Sequence, residues 1–110
     1  MSIADYLDTN QVLIGVPSRS KKQVIEELAE RVAMLTGPSQ RCLMEMIMRR
    51  ERLGSTGIGG GIAIPHAVHH DLTRTIALLA VLEAPVDFDA IDGQLVDIIC
   101  LVVGQPNDDT

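Results

Sequence analysis

Aromatic side chains are nearly absent from this chain of 110 residues: Tyr6 and Phe88 are the only two, and there is no tryptophan. Successive bases therefore have no aromatic platform to stack on, which excludes the usual single-strand nucleic-acid binder. Cations are also scarce. Nine Lys and Arg stand against fifteen Asp and Glu, a formal net charge of −6. That balance opposes nucleic-acid duplexes and anionic membrane surfaces alike. Cysteine occurs only at Cys42 and Cys100. Both lie in apolar runs, Arg41–Ile47 and Ile98–Val103, and are expected as buried thiols of a reducing compartment, not as a disulfide framework. No apolar run approaches the roughly 20 residues that a bilayer-spanning helix needs. The polar, acidic opening Met1–Asp8 lacks a secretory-signal pattern. The expectation is a cytoplasmic protein with no direct membrane insertion and no nucleic-acid partner.

What is present is largely aliphatic. An apolar content of 46% over this length suits one globular domain, residues 1–110, with a core that needs no staples. Positive charge gathers in one place. Arg41, Arg49, Arg50, Arg52 and Arg74 outnumber Glu45, Glu51 and Asp71 between residues 41 and 74, whereas residues 75–110 carry seven carboxylates and no cation. Two readings stay open for this island: a site for a compact anion such as phosphate, or a solvated helix end.

Periodicity supplies the elements. Gln11–Val16 reads as a strand ended by Pro17. Ser20-x-x-Gln23 is a capping box, and Val24, Ile25, Leu28, Ala29, Val32 and Ala33 follow at helical spacing until Gly37-Pro38. Ser39 can cap a second helix over Gln40–Leu53, with Cys42, Leu43, Met46 and Ile47 as its inner face and Gly54 as its stop. Met34, Met44 and Met48 read as flexible core filling. Arg49, Arg50 and Arg52 then complement the dipole of the last turn. Ser55–Gly61, with glycine at 57, 59, 60 and 61, is expected to be neither helix nor regular strand. Thr75–Leu82 and Val96–Val103 read as central strands, and Glu83–Gln94, with Pro85 and Gly93, as a loop or edge excursion. Helices alternating with buried strands imply an α/β sandwich around one sheet.

Chemistry concentrates in Arg50-Glu-Arg-Leu-Gly-Ser-Thr-Gly-Ile-Gly-Gly-Gly-Ile-Ala-Ile-Pro-His66-Ala. A glycine-rich loop lets backbone N–H groups, those of Gly57 and Gly59 among them, approach an anion without side-chain obstruction. Ser55 and Thr56 add hydroxyl donors, and Arg50 adds a fork-shaped cation suited to phosphate. His66 is an effective neutral nucleophile near pH 7, and the preceding Pro65 restricts its backbone. The same glycines can equally be turn-formers. The spacing departs from the Walker pattern, and no Gly-Lys-Ser/Thr follows.

Glu51, then six residues, then Ile58-Gly59-x-x-Ile62-Ala63-Ile64-Pro65-His66-Ala67 resembles the active-site signature of enzyme IIA components of the bacterial phosphotransferase system, in the fructose–mannitol and nitrogen-regulatory class. Leu53–Gly59 and Pro85–Gln94 are most similar to the nitrogen-regulatory branch. The resemblance implies a single domain of mixed β-sheet flanked by helices, like the mannitol enzyme IIA. It places His66 on the phosphorylated histidine, Arg50 on the active-site arginine and Thr56 on the hydroxyl residue near the phosphoryl group. Ser55, Gly57 and Gly59 would form the phosphate-binding loop. No cofactor or metal is implied. The partners implied are an HPr-like phosphocarrier as donor and an enzyme IIB or regulated target proteins downstream; self-association as a homo-oligomer stays open.

Two features depart from the family pattern. Gly60 stands where an Asn or similar residue is common. A second active-site histidine is expected after the strand matching Val96–Val103, beyond Asn107–Thr110, so the domain is expected to be C-terminally short, without its last helices. Two other functions compete with phosphoryl transfer. One is a phosphorylation-independent regulatory binding module. The other is a metal site at His66-x-x-His69-His70-Asp71, which surface histidines explain more simply.

Overall fold

The computed structural model describes residues 11–104 except Thr73; the opening Met1–Asp8 and the terminal Asn107–Thr110 lie outside these. Ser20 starts the first helix, α1 (Lys21–Thr36), by accepting the Gln23 N–H at 3.1 Å. The Gln23 side chain accepts the N–H of Arg19 at 2.7 Å, one residue earlier than the reciprocal bond of a capping box. Gly37, with φ +108°, ends the helix through its N–H to the Ala33 carbonyl. The second helix, α2 (Gln40–Leu53), is capped by Ser39 on the Cys42 N–H. Its buried stripe is Leu43, Ile47 and Glu51, a strict i, i+4 row. Cys42 lies one residue off this stripe and is exposed, which corrects the expectation of a buried thiol; Cys100 is buried. Met44 and Met48 pack against the core. Met34, expected as core filling, is 73% exposed.

The strands are β1 (Val12–Val16), β2 (Gly57–Gly59), β3 (Ile62–Ala63), β4 (His66–Val68), β5 (Ile76–Val86) and β6 (Val96–Gly104). They form one mixed sheet in the order β1-β5-β6-β3-β2, with β4 also paired to β6. β5 and β6 are antiparallel, whereas β1 on β5 and both β3 and β4 on β6 are parallel. β6 thus carries β3 and β4 end to end along one edge, Ile62 opposite Ile98 and His66 opposite Val102. The core lies between the helices and one sheet face: Ile76, Leu78, Ala80, Leu82, Ile99, Leu101 and Val103 meet Val24, Ile25, Leu28, Val32, Leu43 and Ile47. The alternation of the strand residues is the period-2 pattern of a face buried on one side.

Two expectations change. Ser55–Gly61 does contain a strand, because Gly57–Gly59 pairs antiparallel with Ile62–Ala63. Gly60 and Gly61 make the turn with φ +66° and +80°, the left-handed pair that a tight hairpin requires. The excursion expected from Glu83 begins later, since β5 runs through Pro85 to Val86. The register shifts between Val81 and Val86, and such an irregularity tolerates a proline without an N–H.

Candidate functional site around His66 and Arg50

His66 opens β4 and is exposed. Just before it, the Pro65 carbonyl accepts the Val102 N–H at 3.0 Å, so the chain is already fastened to β6. The imidazole has two partners. Nδ1 lies 3.2 Å from the Ile64 carbonyl oxygen. A carbonyl oxygen only accepts, so Nδ1 carries the proton and Nε2 keeps its lone pair. That lone pair accepts the Nε–H of Arg50 at 3.2 Å. Both contacts select the same neutral tautomer. Arg50 sits in the last turn of α2 and is steadied by Nη1 donating to the Gly54 carbonyl at 2.8 Å. The rest of its fork remains for an anion.

The other sequence-derived residues turn inward. Thr56 is buried; its hydroxyl and its N–H both donate to the Glu51 carboxylate. Ser55 donates its hydroxyl to the Phe88 carbonyl at 2.6 Å and accepts the Gly57 N–H at 3.0 Å. Gly57 is buried against Ala90, where a Cβ would stand 2.8 Å from the Ala90 Cβ and 2.9 Å from its Cα. Its glycine serves close packing. Gly59 pairs within the hairpin, and the neighbouring Gly60 N–H donates to Asp92 at 2.9 Å. Arg50 and His66 are therefore brought into contact, while Ser55, Thr56 and Gly57 spend hydrogen bonds on the frame beneath them.

Glu51 opens the signature read from the sequence, but sequence reasoning gave it no role. It is buried at 6% exposure and receives Lys21 Nζ at 2.7 Å, while Lys21 also rests over the Phe88 ring at 4.9 Å. Its signal was available: a carboxylate at the i+4 position of an otherwise apolar stripe needs a buried partner.

His69 corrects the reading of surface histidines. It is buried, its Nδ1 accepts the Asp71 N–H, and its Nε2 lies 3.4 Å from the Cys42 sulfur. His70 is exposed and stacks on it at 5.3 Å. Among the described residues no three His, Cys, Asp or Glu side chains gather in a way that could hold a metal, and the Nε2 of His66 meets Arg50, not His69.

Residues 5–110 match the family described as phosphoenolpyruvate-dependent sugar phosphotransferase system, EIIA 2. The chain belongs to this enzyme IIA family. It is 40% identical over 103 residues to a nitrogen regulatory protein of Bradyrhizobium diazoefficiens, covering 94% of this chain and 67% of that protein. The Escherichia coli nitrogen regulatory protein is 41% identical over 100 residues, covering 90% and 61% respectively. The chain thus spans roughly two thirds of the length of these relatives. Among solved structures, nitrogen regulatory protein IIA-Ntr of Neisseria meningitidis superposes with a TM-score of 0.91 at 31% identity, covering 96% of this chain and 72% of that one. The mannitol IIA of Escherichia coli shares the fold, with a TM-score of 0.77 at 19% identity, covering 92% and 73%. Among the described residues, no helix of this enzyme IIA domain is long and apolar enough to cross a membrane.

Proposed function

We propose that this enzyme IIA domain is a cytoplasmic phosphocarrier in which His66 accepts a phosphoryl group from a phosphohistidine on an HPr-like carrier. The observation that carries the reading is the pair of contacts on one ring, Nδ1–H to Ile64 and Nε2 to Arg50. They leave the outward nitrogen as the nucleophile. Its lone pair forms the new N–P bond while the N–P bond of the donor breaks, and that electron pair returns to the donor ring. The Arg50 contact occupies the same lone pair, so it must open before attack. The guanidinium is then free to offset charge on the equatorial phosphoryl oxygens. Ser55, Thr56, Gly57 and Gly59 act in this reading as the frame that sets the position of the ring.

The surroundings suit a protein donor better than a small molecule. A shallow groove beside the ring is lined by Met46, Arg49, Leu53, Ala67 and Val68, and Leu53 is 83% exposed. An apolar floor edged by cations fits a docked surface patch. The names of the relatives point to a regulatory output in nitrogen control, with an enzyme IIB or regulated proteins as downstream partners. The test is transfer from the phosphorylated carrier to the wild type and to His66→Ala. Labelling confined to the wild type supports the assignment. Equal labelling of both overturns it, and no labelling of either, with partners bound regardless of phosphate, favours a phosphorylation-independent binding module.

A further inference from the structure

Between Lys21 at the start of α1 and the ring of His66 runs an unbroken series of polar contacts. Lys21 Nζ meets Glu51 at 2.7 Å. One Glu51 oxygen accepts the Thr56 N–H at 3.3 Å, and the other accepts the Thr56 hydroxyl. The Thr56 carbonyl accepts the Ile64 N–H at 3.0 Å, and the Ile64 carbonyl accepts Nδ1–H of His66 at 3.2 Å. Pro65 locks the backbone between the last two groups, and its carbonyl is held by Val102.

We infer that Glu51, anchored by Lys21, is a positioning residue: through Thr56 and Ile64 it holds His66 in the tautomer whose Nε2 is the nucleophile. The inference rests on the phosphoryl-transfer reading of His66 and assigns Thr56 a different task from phosphate binding. A threonine hydroxyl has one proton to give, and here Glu51 receives it. Thr56 cannot donate to a phosphoryl oxygen without breaking the latch. The latch is also insulated from solvent, since the Glu51 side chain is 2% exposed and Thr56 is buried. Three donors converge on Glu51: the Lys21 ammonium, an N–H and an O–H. A carboxylate accepts all three, whereas a glutamine amide must turn its own NH₂ toward one of them.

The experiment compares the wild type with Glu51→Gln, Thr56→Val and Thr56→Ser, reading the ¹⁵N signals of the His66 ring in the absence of donor and the rate of labelling by a phosphorylated HPr-type carrier. The expected ring in the wild type has Nδ1 protonated and Nε2 bare. Glu51→Gln and Thr56→Val should each give a mixture of tautomers and slow labelling by about 10-fold or more, the scale on which small misplacements of a reacting atom act. Their effects should be non-additive in the double variant, because one latch is broken twice. Thr56→Ser should restore both the ring signals and the rate. If Glu51→Gln does not fold, the Thr56 pair decides the matter alone. Unchanged ring signals in folded Glu51→Gln and Thr56→Val would overturn the inference, as would Thr56→Ser behaving like Thr56→Val. Failure of the wild type to be labelled would sink the phosphoryl-transfer reading instead, and the ring signals would still decide the latch.

Discussion

The His66 ring has two different ends. Nδ1 is turned toward a backbone carbonyl and Nε2 toward a guanidinium. Replacing Arg50 by Lys should therefore do more harm than a swap of equal charges suggests. Lysine has no second arm to keep the Gly54 carbonyl and the ring together. We expect Arg50→Lys to lower labelling by roughly 10- to 100-fold, the scale set by losing one oriented donor to developing charge, with little change in melting temperature. A calorimetric scan beside the transfer assay checks both halves. The two thiols make a second residue-scale prediction. Burial pushes the Cys100 thiol above its ordinary value, whereas Cys42 is exposed. Iodoacetamide should modify Cys42 in the folded protein and reach Cys100 only after unfolding, as mass spectrometry of timed samples would show. Modification at the same rate would contradict the burial.

At the scale of elements, the Gly57–Ala63 hairpin is fixed from the side by the Asp87–Gln94 segment. The Ile91 N–H donates to Gly57 and the Gly60 N–H to Asp92. Gly57→Ala would force a Cβ against Ala90, so we expect a loss of about 1–3 kcal/mol, measurable by urea unfolding. The Gly60 N–H, followed by that of Gln94, holds the Asp92 carboxyl below the usual aspartate value. A depressed folded value means that the stabilising contact is present above the unfolded value and is lost as pH falls through the folded one. Amide exchange at Gly60 should therefore quicken relative to the other hairpin amides only at pH below the ordinary aspartate range. Exchange that quickened near neutrality would point elsewhere.

The same elements show what the sequence could and could not reveal. Both helices were legible from end to end, since Ser20, Gly37, Ser39 and Gly54 are local signals acting on the adjacent turn. The hairpin was not, because a run of glycines carries no side-chain alternation; what makes Gly57–Gly59 a strand is its pairing with β3 and its tie to Ala90 and Asp92, both distant in sequence. Of the site, Arg50 and His66 could be named from their motif. That the Thr56 hydroxyl points to Glu51 could not, because it depends on Lys21 arriving from another helix. Cys42 was placed in the core by an apolar run, when the true stripe was one residue further on.

Across the whole molecule, Phe88 links these parts. Phe88 is fully buried, lies under Lys21 and takes the Ser55 hydroxyl on its carbonyl. Phe88→Ala should cost about 3–5 kcal/mol, a large fraction of the roughly 5–15 kcal/mol that a domain has in total. Thermal unfolding should show the loss, with Phe88→Leu markedly milder. The enzyme IIA sheet thus carries His66 on a short edge strand, with Arg50 of α2 against its ring. The most direct test of this account is the position of phosphorus after transfer. Once the phosphorylated carrier has reacted with the domain, ³¹P–¹H correlation should show a single acid-labile phosphoramidate on Nε2 of His66. Phosphorus on Nδ1, or on His69 or His70 with His66 unmodified, would contradict it.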